Sequence, residues 1–262
     1  MTQFFEMLQD PMIKPFVYVF VFLFGVVFGS FMNVLILRVP KKENIRSSSH
    51  CMTCGHKLAW YDNIPLLSWC MLGGKCRYCK AKISIQYPII EASNGLLCLF
   101  IFLVNGINLD SLLLAIVSSA LLSLSVVDWR TYEIANGYHW FIGAIALCKV
   151  ASDYQNWLTY VIGFFAVSVL LLIIYLVSGG RAIGGGDVKL MAVCGLFLGW
   201  QKIILALAIG CILGSVIHLI RMKISKNANH VLAMGPYLSM GVFIAGLYGT
   251  QILNWYMGFF VK

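Results

Sequence analysis

Residues 16–37, FVYVFVFLFGVVFGSFMNVLIL, run from Phe16 to Leu37 without one Asp, Glu, Lys or Arg. A bilayer core about 30 Å thick is crossed by roughly 20 apolar residues in a helix rising about 1.5 Å per residue. The stretch is therefore long enough to span. It is too long for the apolar region of a cleaved leader, its start is acidic and not basic, and no A-x-A site follows, so it is expected to remain as the first transmembrane helix. The rest of the 262 residues agrees: 60% are hydrophobic and 11% charged, far from the average of soluble domains. A net charge of +9 would suggest nucleic acid in a soluble protein; here its placement along the chain sets membrane topology, and no nucleic-acid partner is expected.

Apolar runs and their breakers predict eight helices, near 16–37, 88–104, 111–128, 138–152, 158–178, 188–200, 202–220 and 235–257. The fold class is thus an all-α polytopic membrane protein. Between the first two helices lies the one long polar stretch, Arg38 to Tyr87, with five of the nine cysteines, four of them in C-x-x-C pairs, and nine of the nineteen Lys/Arg. Positive-inside bias places it in the cytosol and the N-terminus outside. Arg130, Arg181, Lys189, Arg221, Lys223 and Lys226 then also fall inside, while Lys14, Lys149, Lys202 and Lys262 fall outside. An odd helix count would reverse the later loops and destroy this asymmetry, so both termini are expected outside. No low-complexity tract or internal repeat stands out.

Within the polar stretch, Cys51-Met-Thr-Cys54 and Cys76-Arg-Tyr-Cys79 form two C-x-x-C pairs separated by 21 residues, one beyond the usual ribbon spacing. Four thiolates at such knuckles suit tetrahedral zinc, and a site closed by four sulfurs leaves no position for a reacting water, so the metal would be structural. A module of this size gains from a metal what its core is too small to supply. Two disulfides are the competing reading, disfavoured in a reducing cytosol, and His50 and His56 are alternative ligands. Cys70, Cys98, Cys148, Cys194 and Cys211 read as small buried hydrophobes.

Two acids stand at cytosolic ends of apolar helices: Asp128 closes Ser125-Val126-Val127-Asp128, and Asp187 follows Gly184-Gly185-Gly186. Ionisable groups at the edge of a membrane bundle are functional candidates. A pair of carboxyls, one protonated and one ionised, can share a water for peptide hydrolysis, and the glycines would let a substrate backbone approach Asp187. The plainer alternatives are that Asp187 caps its helix and Asp128 is a solvated helix end. Glu91, just inside the second helix, is either a third functional acid or the partner of a nearby Lys or Arg.

Several stretches in order carry a family likeness: Gly29-Ser30-Phe31-Met32-Asn33-Val34; Ser49-His50-Cys51; Trp60-Tyr61-Asp62-Asn63-Ile64-Pro65-Leu66-Leu67-Ser68-Trp69; Gly74-Lys75-Cys76; Tyr87-Pro88-Ile89-Ile90-Glu91; Asp128-Trp129-Arg130; Gly184-Gly185-Gly186-Asp187-Val188-Lys189-Leu190; and Gly235-Pro236-Tyr237-Leu238. Together they resemble the bacterial type IV prepilin peptidases (prepilin leader peptidase/N-methyltransferases) of the GxGD class of membrane aspartic proteases. The resemblance implies three parts: a first transmembrane helix in 1–37, a cytosolic zinc-binding module in 38–87, and a membrane aspartic protease domain in 88–262. It puts Asp128 and Asp187 on the catalytic aspartates, and Cys51, Cys54, Cys76 and Cys79 on the zinc ligands. It further implies removal of a basic leader after glycine from prepilins or pseudopilins at the cytosolic face of the bacterial inner membrane, then N-methylation with S-adenosylmethionine. No Gly-rich strand-to-helix fingerprint assigns residues to that donor. One departure stands out: the family's Ile-Pro before Asp or Asn is Ile134-Ala135-Asn136, which would loosen the loop after Asp128. A proton-coupled transporter and a non-catalytic zinc scaffold are the rival readings; the lack of repeats, the acids' place at helix ends and the intact acid pair speak against them.

Overall fold

The computed structural model describes residues 7–45, 47–224 and 232–259, so Arg46, Lys226 and Lys262 of the charge pattern lie outside the described residues. Among the described residues the chain is helical, with two isolated antiparallel bridges and no strand. The helices are α1 (Lys14–Arg38), a short α2 (Leu67–Met71), α3 (Gln86–Asn105), α4 (Leu109–Thr131), α5 (Asn136–Ser152), α6 (Trp157–Ala166), α7 (Ser168–Val177), α8 (Gly185–Leu198), α9 (Trp200–Ile224) and α10 (Gly235–Met257). Local chemistry sets their ends. Pro15 sits in the first turn of α1, where its missing N–H would have no helical partner anyway. The Asn108 side chain accepts the Ser111 N–H at 2.8 Å at the start of α4. Gly106 and Gly199, at φ 77° and 81°, stop α3 and α8 in a conformation that side chains oppose.

Helices occupy all eight predicted stretches, but five are long and apolar enough to cross a membrane: Lys14–Arg38, Gln86–Asn105, Leu109–Thr131, Tyr154–Val177 and Trp200–Ile224. The fourth of these is interrupted at Val167, where α6 gives way to α7. The other three fall outside that group. α5 has 17 residues and α8 has 14, while α10, with 23, carries Ser239, Thr250, Gln251 and Asn254. Fourteen helical residues rise only about 21 Å.

The chain forms two compact units, Met1–Ala115 and Ile116–Lys262, with the boundary inside α4. In the first, α1 and α3 cross closely. A Cβ on Gly29 would lie 2.9 Å from the Glu91 Cα, and one on Gly95 would lie 2.6 Å from the Val26 side chain. Close approach through small residues is how helices associate in lipid, where apolar surface gains nothing by leaving its solvent. Polar side chains fasten the crossing: Asn94 donates to the Gly25 carbonyl at 2.7 Å and Asn33 to the Tyr87 carbonyl at 3.1 Å. Away from α3, the outer side of α1 presents exposed Phe16, Phe20 and Phe24, as a lipid-facing surface should.

In the second unit α8 is central, packed by α5, α6, α7, α9 and α10. Leu190, Met191 and Cys194 are fully buried, so a helix apolar on every side finds protein all around it. At its crossing with α6, Gly163 and Gly195 meet backbone to backbone, and a Cβ on either would overlap the other's carbonyl oxygen. Gly195→Val is expected to lower stability by about 1–3 kcal/mol or more through overpacking. Gly143→Ala, whose new Cβ would meet its nearest neighbour at an ordinary 3.6 Å, should leave stability unchanged or slightly raised. Thermal unfolding of the two variants in one detergent checks the contrast.

Candidate active site and metal centre

α4 and α8 deliver the two acids singled out by the sequence, and both belong to the second unit. Asp128 lies in the penultimate turn of α4 and is 4% exposed, so it is not a solvated helix end. The backbone N–H of Gly235, at the start of α10, donates to its Oδ2 at 2.9 Å. A Cβ on Gly235 would stand 2.6 Å from that oxygen, so this close approach requires glycine. Asp187 is 8% exposed and is the third residue of α8, whose N-cap is the extended Gly184; Asp187 is therefore not the cap. Its Oδ2 folds back to 3.1 Å from where a Gly184 Cβ would be. Its Oδ1 is buried without a hydrogen-bond partner among the described residues.

Asp187 also lies within the electrostatic influence of Asp128. Two carboxyls coupled in a poorly hydrated place do not ionise independently, which is the physical condition for one to hold a proton while its neighbour is charged. The next loop is fixed closely against the glycines. A Gly186 Cβ would lie 3.1 Å from the Ile134 side chain, and Ala135 has φ −67° and ψ 136°, a backbone that proline would also adopt. Ala135 thus keeps a backbone conformation that the family's proline would share. Glu91 is buried in the first unit, where its Oε2 accepts the Leu66 N–H at 2.8 Å and its carboxyl also binds Ser30. Leu66 there has φ 60°, and among the described residues no ion pair joins Glu91 to a Lys or Arg.

The four knuckle cysteines converge, all Sγ atoms lying within 4.8 Å of one another. Cys51 and Cys79 sulfurs are 3.8 Å apart, the edge length of a tetrahedron with metal–sulfur bonds of about 2.3 Å. All nine cysteines are free, and neither histidine belongs to the cluster; His56 instead packs at a tilt against Tyr78 with ring centres 3.6 Å apart. The two knuckles share one backbone pattern although their sequences differ. Cys51 N–H bonds the His56 carbonyl and Cys76 N–H that of Ala81; Gly55 N–H bonds the Cys51 carbonyl and Lys80 N–H that of Cys76. Bridges His50–Lys57 and Lys75–Lys82 complete each. Gly55 and Lys80 both have positive φ, 70° and 59°, so the second knuckle carries a lysine where the turn favours glycine. Amides of Cys54 and Thr53 hold the Cys51 thiol down to about 6. At Cys79 the Ala81 amide acts in the same direction, but burial and the neighbouring thiols outweigh it and push the thiol up to about 11. Such a set releases protons as it takes up a cation. Of the other five cysteines, Cys98 and Cys194 are buried as expected, whereas Cys70, Cys148 and Cys211 are exposed.

Comparison with known proteins divides the chain in a similar way. Residues 23–105 match the model of the bacterial Peptidase A24 N-terminal domain, and residues 115–219 that of the type IV leader peptidase family. A Legionella pneumophila protein named prepilin leader peptidase/N-methyltransferase is 30% identical over 94% of this chain and 96% of its own length. Proteins of the same name from Pseudomonas aeruginosa and Vibrio cholerae are 28% and 32% identical, over 90% and 67% of this chain and 91% and 75% of theirs. No solved structure matches.

The Gly235 contact makes a prediction about coupling. Gly235→Ala alone should lower the unfolding midpoint, because its methyl group strikes a buried carboxyl. Adding Asp128→Ala should relieve that clash, giving a double-mutant coupling of about 1 kcal/mol or more. Independent, additive effects in the same thermal measurement would contradict the contact.

Proposed function

This chain belongs to the bacterial type IV leader peptidase family, and from that premise we propose that it is a membrane aspartic endopeptidase that uses Asp128 and Asp187 to remove the leaders of prepilins or pseudopilins. The observation that carries this reading is the pair of buried carboxyls, Asp128 and Asp187, that α4 and α8 bring into one compact unit. The ionised carboxylate takes a proton from water as its oxygen attacks the scissile carbonyl carbon, and the other carboxyl protonates the carbonyl oxygen. As the tetrahedral species collapses, the C–N bond breaks and the leaving amine receives a proton, restoring one charged and one neutral acid.

The proposed setting is the bacterial inner membrane, with eight crossings, both termini outside, and the acids with the cysteine module at the cytosolic face. The supports are the five long apolar helices, the three other helices at the remaining predicted stretches, and the asymmetric distribution of Lys and Arg. A precursor held by its own apolar helix would then present the bond after its basic leader at a depth set by the bilayer. The four cysteines would hold a structural zinc, for which their sulfur spacing is suited. N-methylation of the new N-terminus rests on the relatives' names, with S-adenosylmethionine as the donor; no residue of this chain is assigned to it.

Mass spectrometry of a co-expressed prepilin tests the reading. The parent chain should release the leader and add a methyl mass, while Asp128→Asn and Asp187→Asn should each reduce cleavage by at least about 100-fold with the fold retained. Substantial cleavage by both variants would remove the acid pair from the mechanism. Metal analysis should find one zinc per chain, and Cys76→Ser should lose the zinc and lower the unfolding midpoint.

A further inference from the structure

The start of α5 touches both acid-bearing helices through two consecutive side chains. Tyr138 and Ser123 share a buried hydrogen bond of 2.6 Å, and Ser123 lies five residues before Asp128 on α4. The next residue, His139, places Nε2 at 3.0 Å from the carbonyl oxygen of Gly186, the residue bonded to Asp187. Neighbouring positions on a helix point about 100° apart, so one turn of α5 can reach two different helices. A third contact ties the same elements: Lys189 of α8 donates to the Asn136 side-chain oxygen at 3.2 Å.

The chemistry of His139 shows what it is kept for. A carbonyl only accepts, so the proton of the imidazole sits on Nε2, leaving Nδ1 as an acceptor. That Nδ1 is buried with no hydrogen-bond partner among the described residues. A buried acceptor without a partner is destabilising, and an apolar side chain of similar size would avoid it. The residue is therefore poorly explained as packing and well explained by its bond to the first turn of α8, which carries Asp187. Catalytic groups must be held to within about 0.5 Å of their working geometry, and a displacement of about 1 Å costs on the order of 100-fold in rate.

We propose that Tyr138 and His139 form a clamp that sets the spacing of Asp128 and Asp187, with His139 a positioning residue for Asp187. This rests on the peptidase reading above. The clamp does not touch the substrate, so its loss lowers kcat for prepilin cleavage and leaves KM unchanged.

The test compares His139→Gln with His139→Asn by steady-state cleavage of a purified prepilin in one detergent, with thermal unfolding measured in parallel. Both replacements are polar amides, but Gln places a donor N–H near the position of Nε2 and Asn stops short of it. Gln should keep kcat close to that of the parent, and Asn should lower it about 10- to 100-fold at constant KM. Tyr138→Phe, which removes only the hydroxyl, should act in the same direction. If the parent cleaves and Gln and Asn have equal kcat, or if KM rises while kcat stays, the clamp is overturned and the peptidase reading stands. If the folded parent leaves the precursor whole, the peptidase reading falls and the clamp falls with it.

Discussion

The backbone contact of Gly163 with Gly195 is the constraint on which the second unit depends. In lipid, apolar side chains have no water to escape, so helices associate through surface fit and polar bonds. Two facing glycines bring α6 and α8 within backbone contact, and the central α8 can then be enclosed by five neighbours. Enclosure gives the second unit a largely buried apolar helix with Asp187 in its first turn. A similar device recurs where Gly241 of α10 meets Ala206 of α9, so the helix carrying the Gly235 amide is also fixed by close contact.

Polar groups then position what the helices bring near. In the second unit, backbone amides and carbonyls of glycines serve the acids: the Gly235 N–H holds Asp128, and the Gly186 carbonyl accepts from His139. In the first unit the same economy holds the polar stretch together. The Arg38 guanidinium, buried at the end of α1, donates to the carbonyls of Asn44, Ile45, Ser47 and Ser48, so one cation shapes the entry to the cysteine module. Asp62, buried as well, takes the Arg77 guanidinium at 2.8 Å.

Much of this was legible in the sequence because single residues or uniform runs carried it. Apolar runs gave α1, α3, α4 and α9 to within a few residues, and paired cysteines announced a cluster that the fold does assemble. The glycine triplet marked Asp187, and the helix end marked Asp128. What could not be read depends on distance in three dimensions. The Gly235 bond joins residues 107 apart in sequence, and nothing near Asp128 points to it. Val167 has no Pro or Gly beside it to announce the break between α6 and α7. Outward-facing Cys148 and Cys211 lie in apolar runs that look the same whether they face protein or lipid. His139 carried no motif, and its importance follows from burial and from a partner 47 residues away.

The shortness of α8 has a consequence for hydration. A 14-residue helix covers about 21 Å of a hydrocarbon layer about 30 Å thick, so about 9 Å remain to be bridged by other means. Backbone groups at its ends, including the glycine turn before Asp187, cannot face acyl chains unsatisfied. Enclosed by its neighbours, α8 would in such a layer keep these groups against protein and against any water that reaches the turn. A hydrolytic enzyme in a membrane needs a route for water to its acids, because its second substrate is water itself.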